Sequence, residues 1–308
     1  MSTAQKFSFE DTATFAGESR ELIECKVSGG ARTVFTIHHS NKESSLAPEK
    51  CAAILLIPGW SGPRCGPADF LVQLARALAQ QGHLVARTDL TGRGDATGSF
   101  ESCDLDKMID DAGAVLERLA DYAAYPKNIV VGGICSGANV ALGVATAKAK
   151  LVTHTLSYSI LPYQPSRSES FERRRRWKNL KNYASKALKP GTWAKLLRGE
   201  VQMKKVTQNL TGSEKPATAG GKSDRNLKDS ARDIEKELLD WKGNALFVWG
   251  SADEEAALAE KHFRGLHEKG MANKATFHTV ANANHNYYSR AWRDELEQVT
   301  LKFLSGGN

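Results

Sequence analysis

The sequence predicts an α/β domain: a mostly parallel mixed sheet flanked by helices and interrupted once by a helical insert. Three observations carry that expectation. Strand-like apolar runs alternate with amphipathic helical runs along most of the 308 residues, a pattern that places helices on both faces of a parallel sheet. One run, "CAAILLIPGW", is apolar throughout, as a strand covered on both faces must be. In "NIVVGGICSGANVALGVA" a strand passes into a small-residue helix through a tight turn flanked by glycines.

In chain order, "KFSFE", "RELIECKVS" and "TVFTIHH" alternate like antiparallel strands, the last two separated by Gly29-Gly30. The buried strand "CAAILLIPGW" follows, then a helix, "ADFLVQLARALAQQG", with Leu71, Leu74, Ala75 and Leu78 on one face and Gly82 at its stop. "HLVARTDL" is the next strand and leads into the glycine-rich "TGRGDATGS". That loop lacks the Gly-Lys-Ser/Thr ending of a phosphate loop and the spacing of a dinucleotide fingerprint, so it reads as a tight turn braced by Asp95. "LDKMIDDAGAVLERLADY" is a helix with Met108, Ile109, Ala112, Val115, Leu116 and Leu119 on its apolar side. After the glycine-flanked turn and "LVTHTLSYSIL", alternation stops near residue 162 and resumes near 241 with "NALFVWGS", a helix, "KATFHTVAN" and a closing helix.

The expected organisation is therefore a core of residues 1–161 and 241–308 with a basic helical lid inserted at 162–240. The insert begins helical ("SFERRRRWKNLKNYASKAL", "TWAKLLRGEVQMKKV") and passes through a polar loop near 211–226 whose composition predicts mobility. Charge follows the same division. The chain carries +7 overall, while residues 165–230 hold 17 Lys and Arg against 6 Asp and Glu, so the basicity belongs to this segment.

Composition narrows the function classes. No apolar run approaches the ~20 residues needed to cross a bilayer, and the N-terminus lacks the basic and apolar regions of a signal peptide. The five cysteines have neither CxxC nor His-paired metal spacing and read as reduced thiols of a cytoplasmic protein. No metal or organic cofactor is expected.

Acyl transfer on such a sheet needs a nucleophile, a base, an orienting acid and oxyanion donors at the carboxyl ends of the strands. In Gly133-Ile134-Cys135-Ser136-Gly137, Cys135 stands at the centre of a Gly-x-Ser-x-Gly pattern in place of serine, with the positive end of the following helix favouring its thiolate. A small buried cysteine between strand and helix is the structural alternative. His285 in "NANHNYYS" is the base candidate, the only one of eight histidines between a terminal strand and a terminal helix. Asp253, just past a strand, lies between them in chain order as the acid, with Glu254 beside it as the alternative and a helix cap as the structural role. Backbone N–H groups of Ser136 and Trp60 are the expected oxyanion donors, and Arg64 and Cys65 of "IPGWSGPRCGP" are candidates for lining the substrate pocket.

With these residues in place the chain resembles the α/β-hydrolase superfamily, and more narrowly the lidded hydrolases with a Gly-x-Cys elbow found with exosortase and exopolysaccharide systems. The resemblance spans most of the core and rests on "IPGWSGPRCGP", "TDLTGRGDATGSFE", "GGICSGANVAL", "KLLRGEV" and "NHNYYSRAWRDELEQVTLKFL". It implies a cysteine nucleophile at Cys135 and a histidine at His285. The chain departs from many relatives at Thr88 and at Gly94-Asp95-Ala96, and the polar part of its insert is its own. Dienelactone hydrolases and polyester synthases share Gly-x-Cys-x-Gly but differ in the residue after it and in the insert. The expected function is acyl transfer, as hydrolase, thioesterase or acyltransferase, through a thioester on Cys135. Its substrate would be a small-molecule or carrier-bound ester or thioester, and the basic insert would suit an acidic acyl carrier protein. Two other readings stand beside it. One is a non-catalytic binding protein that keeps the pocket. The other is a nucleic-acid patch at "ERRRRWKNLKNY", with Trp177 and Tyr183 but no recognised module around it.

Overall fold

The computed structural model describes residues 18–27, 30–40, 51–122, 128–163 and 230–306. The expected strand "KFSFE", the helical runs of the insert, its polar loop near 211–226 and the basic cluster with Trp177 and Tyr183 lie outside these residues. The chain divides into two units, Met1–Tyr163 with Leu227–Asn308 and Gln164–Asn226, and every described residue belongs to the first.

That unit is an α/β-hydrolase fold. Its strands are β1 (Glu18–Lys26), β2 (Arg32–Ser40), β3 (Ala53–Ile57), β4 (Leu84–Thr88), β5 (Ile129–Ile134), β6 (His154–Tyr158), β7 (Asn244–Gly250) and β8 (Lys274–Val280). They form one sheet in the order β1-β2-β4-β3-β5-β6-β7-β8. The β1–β2 and β2–β4 pairs are antiparallel and the rest parallel. The carboxyl ends of β3 to β8 therefore share one edge, where loops can converge on a site.

The helices are α1 (Phe70–Gln80), α2 (Leu105–Tyr122), α3 (Ser136–Ala147), α4 (Ile234–Asp240), α5 (Ala256–Glu268) and α6 (Arg290–Leu304). The apolar run of β3 has a direct cause. Successive side chains point to opposite faces, so Ile54 and Leu56 enter one core with Leu71, Leu74 and Leu78 of α1 and Leu296 of α6. Ala53, Leu55 and Ile57 enter the other, with Met108, Ile109, Val115 and Leu116 of α2 and Phe263 of α5. The face expected of α2 is buried throughout, Leu119 included.

α4 falls inside the range expected for the insert, yet its Ile234 and Leu238 are buried in the same core as α3. Asp233 starts this helix as a side-chain cap, accepting from the Lys236 N–H at 3.2 Å. Short polar stretches between such elements look alike whether they leave the core or return to it.

Candidate active site

β5 ends at Ile134, and the chain turns at once into α3. Cys135 occupies the turn at φ 57° and ψ −128°, a backbone region that costs a non-glycine residue on the order of 1–3 kcal/mol. The turn survives because its surroundings hold it. The Cys135 N–H donates to the Tyr158 carbonyl (2.8 Å), and its carbonyl accepts from the Ala138 N–H (3.0 Å). A Cβ at Gly133 would overlap the Gly137 backbone, and one at Gly137 would overlap the Pro58 carbonyl. The two glycines therefore let α3 start directly beside both β5 and the end of β3.

His285 lies on the loop between β8 and α6. Its Nδ1 donates to Asp253 Oδ2 at 2.6 Å, from the loop after β7. Asp253 Oδ1 accepts from the Glu255 N–H at 3.2 Å, so the carboxylate braces its own turn and holds the histidine with its other oxygen. Glu254 is exposed. The Asp253 hydrogen bond, joined by that to Cys135 and opposed by burial, pushes His285 up to about 10. Burial by itself would raise the Cys135 thiol, but its hydrogen bond with His285, the imidazolium charge and the Ser136 N–H bring it below its ordinary value. Both directions favour a thiolate–imidazolium pair over thiol and neutral imidazole.

The Ser136 N–H faces the Cys135 sulfur, and among the described residues the buried Ser136 hydroxyl has no geometric hydrogen-bond partner. Trp60 is half-buried on the loop after β3. A Cβ on the preceding Gly59 would lie 3.7 Å from Cys135 Cβ, so this loop passes close beside the sulfur-bearing residue. Cys65 is a free, half-buried thiol. Arg64 has several protein partners. Its guanidinium bridges the buried Asp89 and Asp95 (2.7 Å to Asp95), and its Nε donates to Thr36 Oγ1 at 3.1 Å. Asp95 braces the glycine-rich turn, as expected, through this bridge and through its N–H to Asp89 Oδ2 at 3.0 Å.

Other histidines on these elements have partners: His278 with Glu295 (2.7 Å), His262 with Glu235 (2.9 Å) and His267 with the Met271 carbonyl (2.7 Å). Among the described residues no group of three or more His, Cys, Asp and Glu could hold a metal ion. No helix among them is long and apolar enough to cross a membrane.

Three residues near the site escaped the sequence reading. Arg93 of "TGRGDATGS" is 3% exposed. Its Nε donates to the Trp60 carbonyl, and its guanidinium lies 5.1 Å from the Trp60 ring centre and 4.5 Å from that of Phe100. Ser159 and Tyr287 are buried beside His285, both at positive φ. Only the position of Arg93 in a glycine-rich turn was a usable signal. Ser159 lies in an ordinary strand run, and Tyr287 in the stretch after His285 that carried the resemblance without a role of its own.

A model of the alpha/beta hydrolase family matches residues 54–299. No curated protein matches the chain by sequence. Among solved structures, Est1E from Butyrivibrio proteoclasticus with ferulic acid bound is 15% identical, with TM-score 0.58, covering 91% of this chain and 97% of its own. The Pyrococcus furiosus esterase Pf2001 is 14% identical, with TM-score 0.60 and coverage of 94% and 91%. Dienelactone hydrolase from Anabaena variabilis is 11% identical, with TM-score 0.58 and coverage of 94% and 99%. At these identities the likeness is one of fold.

Proposed function

The chain belongs to the alpha/beta hydrolase family, and from that premise we propose that it is an acyl-transfer enzyme with Cys135 as nucleophile, His285 as base and Asp253 as orienting acid. The observation that carries this reading is His285, which is hydrogen-bonded to Asp253 at 2.6 Å and acts electrostatically on Cys135 at the strained turn. A thiol, an imidazole and a carboxylate in sequence are what this chemistry requires.

The thiolate of Cys135 attacks the acyl carbonyl. A C–S bond forms, and the carbonyl π electrons move to oxygen. The N–H groups of Ser136 and Trp60 stabilise that oxyanion, each worth roughly 2.7–4 kcal/mol in comparable sites. Collapse breaks the bond to the leaving alcohol or thiol, which takes its proton from the His285 imidazolium. Water or another acceptor then attacks the thioester and gives its proton to His285, and the C–S bond breaks to restore the pair. Asp253 holds the imidazole tautomer and orientation throughout.

A carboxylic ester is the first donor to try, given the esterases and dienelactone hydrolase among the structural neighbours. A thioester intermediate is open to amine, alcohol and thiol attack as well as water, so acyl transfer and thioester cleavage belong to the same proposal. The resemblance to exosortase-associated lidded hydrolases and the basic segment at 165–230 favour an acidic, carrier-bound donor.

The test is intact-protein mass spectrometry after brief exposure to a panel of activated esters and acyl thioesters, with wild type, Cys135→Ala and His285→Ala compared. An acyl mass that maps to Cys135 and vanishes in Cys135→Ala is expected. A folded protein that acquires no adduct and turns over no donor would instead be a binding protein on a hydrolase scaffold.

A further inference from the structure

Ser159 directly follows β6 and is fully buried at φ 47°. A glycine holds that conformation without steric cost, whereas a side chain there costs roughly 1–2 kcal/mol. If only the backbone path mattered, the serine would be a liability. Its hydroxyl, however, donates to the backbone carbonyl of His285 at 2.8 Å. It also lies 3.0 Å from the Tyr287 hydroxyl, which donates to the Val248 carbonyl at 3.0 Å. The Ser159 N–H reaches that same carbonyl at 2.8 Å.

Tyr287 is itself held firmly. It is fully buried at φ 51°, and its ring stacks on Phe70 with centres 5.8 Å apart. Its carbonyl accepts from Arg293 Nε at 2.7 Å. The residue two places after His285 is thus anchored to β7, α1 and α6, and His285 itself to the end of β6. Cys135 is anchored to β6 as well, through its N–H on the Tyr158 carbonyl, one residue before Ser159. The two halves of the thiol–imidazole pair are fastened to adjacent residues, Tyr158 at the end of β6 and Ser159 just after it.

We propose that Ser159, backed by Tyr287, is a positioning residue that fixes the His285 backbone in register with Cys135. The proposal rests on the Cys135–His285 reading above. Among the described residues Asp253 is the acidic group acting on His285, and neither Ser159 nor Tyr287 hydrogen-bonds to the sulfur. A change at Ser159 therefore reaches the thiolate only through the placement of the imidazole.

Alkylation by iodoacetamide reads that placement without a known substrate. Rates at Cys135 are followed against pH by peptide mass spectrometry in the full chain, for wild type, Ser159→Ala, Ser159→Gly and His285→Ala. Loss of the histidine moves the alkylation profile to higher pH. Both Ser159 variants are expected to move it part of the way, with alkylation at neutral pH falling roughly 2- to 10-fold, the worth of one hydrogen bond. Ser159→Gly removes the hydroxyl while relieving the backbone, which keeps the test usable if Ser159→Ala does not fold. A folded Ser159→Gly with the wild-type profile, beside a shifted His285→Ala, overturns the positioning role and leaves the Cys–His pair standing. An unshifted His285→Ala takes both down.

Discussion

Replacing Asp253 with Asn removes the carboxylate charge beside His285 while preserving the size of the side chain. His285 stands at about 10 against an ordinary 6.5, and at ~1.4 kcal/mol per pKa unit this is roughly 5 kcal/mol in favour of imidazolium. The hydrogen bond to Asp253 is the largest cause, followed by that to Cys135 and offset by burial. A hydrogen bond to a charged group is worth roughly 1.5–3 kcal/mol, which sets the scale for the carboxylate. The His285 side chain is 30% exposed, so solvent screening favours the lower figure. Without that carboxylate the imidazolium stabilises the Cys135 thiolate less, and the amide can also hold the wrong tautomer. Asp253→Asn should therefore slow acylation roughly 10- to 100-fold. Stopped-flow release of p-nitrophenolate from p-nitrophenyl acetate at pH 7, with acyl-enzyme measured by mass, gives that rate. Glu254→Gln is the control: it removes the neighbouring exposed acid and should leave the rate within about twofold. The reasoning is refuted if Asp253→Asn acylates at the wild-type rate, or if Glu254→Gln is the variant that fails.

Two further predictions concern stability. His83 is 4% exposed, accepts the Ala52 N–H on Nδ1 at 3.1 Å, and is lowered by burial to about 4. Its folded value lies below the ordinary 6.5, so the stabilising neutral form is fully present above pH 6.5. Up to about 3 kcal/mol is lost as pH falls from there through 4. Urea denaturation across that window should show the loss, and His83→Asn, whose side-chain oxygen can accept the same N–H, should flatten it. Arg64→Ala strands the Asp89 carboxylate, whose side chain is 0% exposed, and should cost roughly 3–5 kcal/mol in chemical denaturation. A variant of unchanged stability but raised KM would instead give Arg64 the substrate contact expected from the sequence.

Much of the fold was legible in the sequence because its causes are local. The apolar run of β3 had to be a strand with two covered faces, and Ile54 and Leu55 do enter opposite cores. The helical spacing of Met108, Ile109, Ala112, Val115, Leu116 and Leu119 marked one face of α2, and all six are buried. The opening strands pair antiparallel, as their alternation implied. The boundary of the insert was less legible. α4 is short and polar in sequence, and its place in the core follows from Ile234 and Leu238 being buried where the helix packs on α3 and α5.

What the sequence determined by itself was the order of elements and the tight turn at Cys135. Strand and helix periods and glycine spacing are set by backbone geometry within a few residues. Tertiary structure decided which partners each polar side chain found. It placed Asp253, rather than the adjacent Glu254, on His285. It set Arg64 against Asp89 and Asp95, Arg93 on the Trp60 carbonyl, and the Ser159 hydroxyl on the His285 carbonyl. Those partners stand between 25 and 126 residues apart in the chain. A parallel sheet brings the ends of distant strands to one edge, and no local pattern records which side chains will meet there.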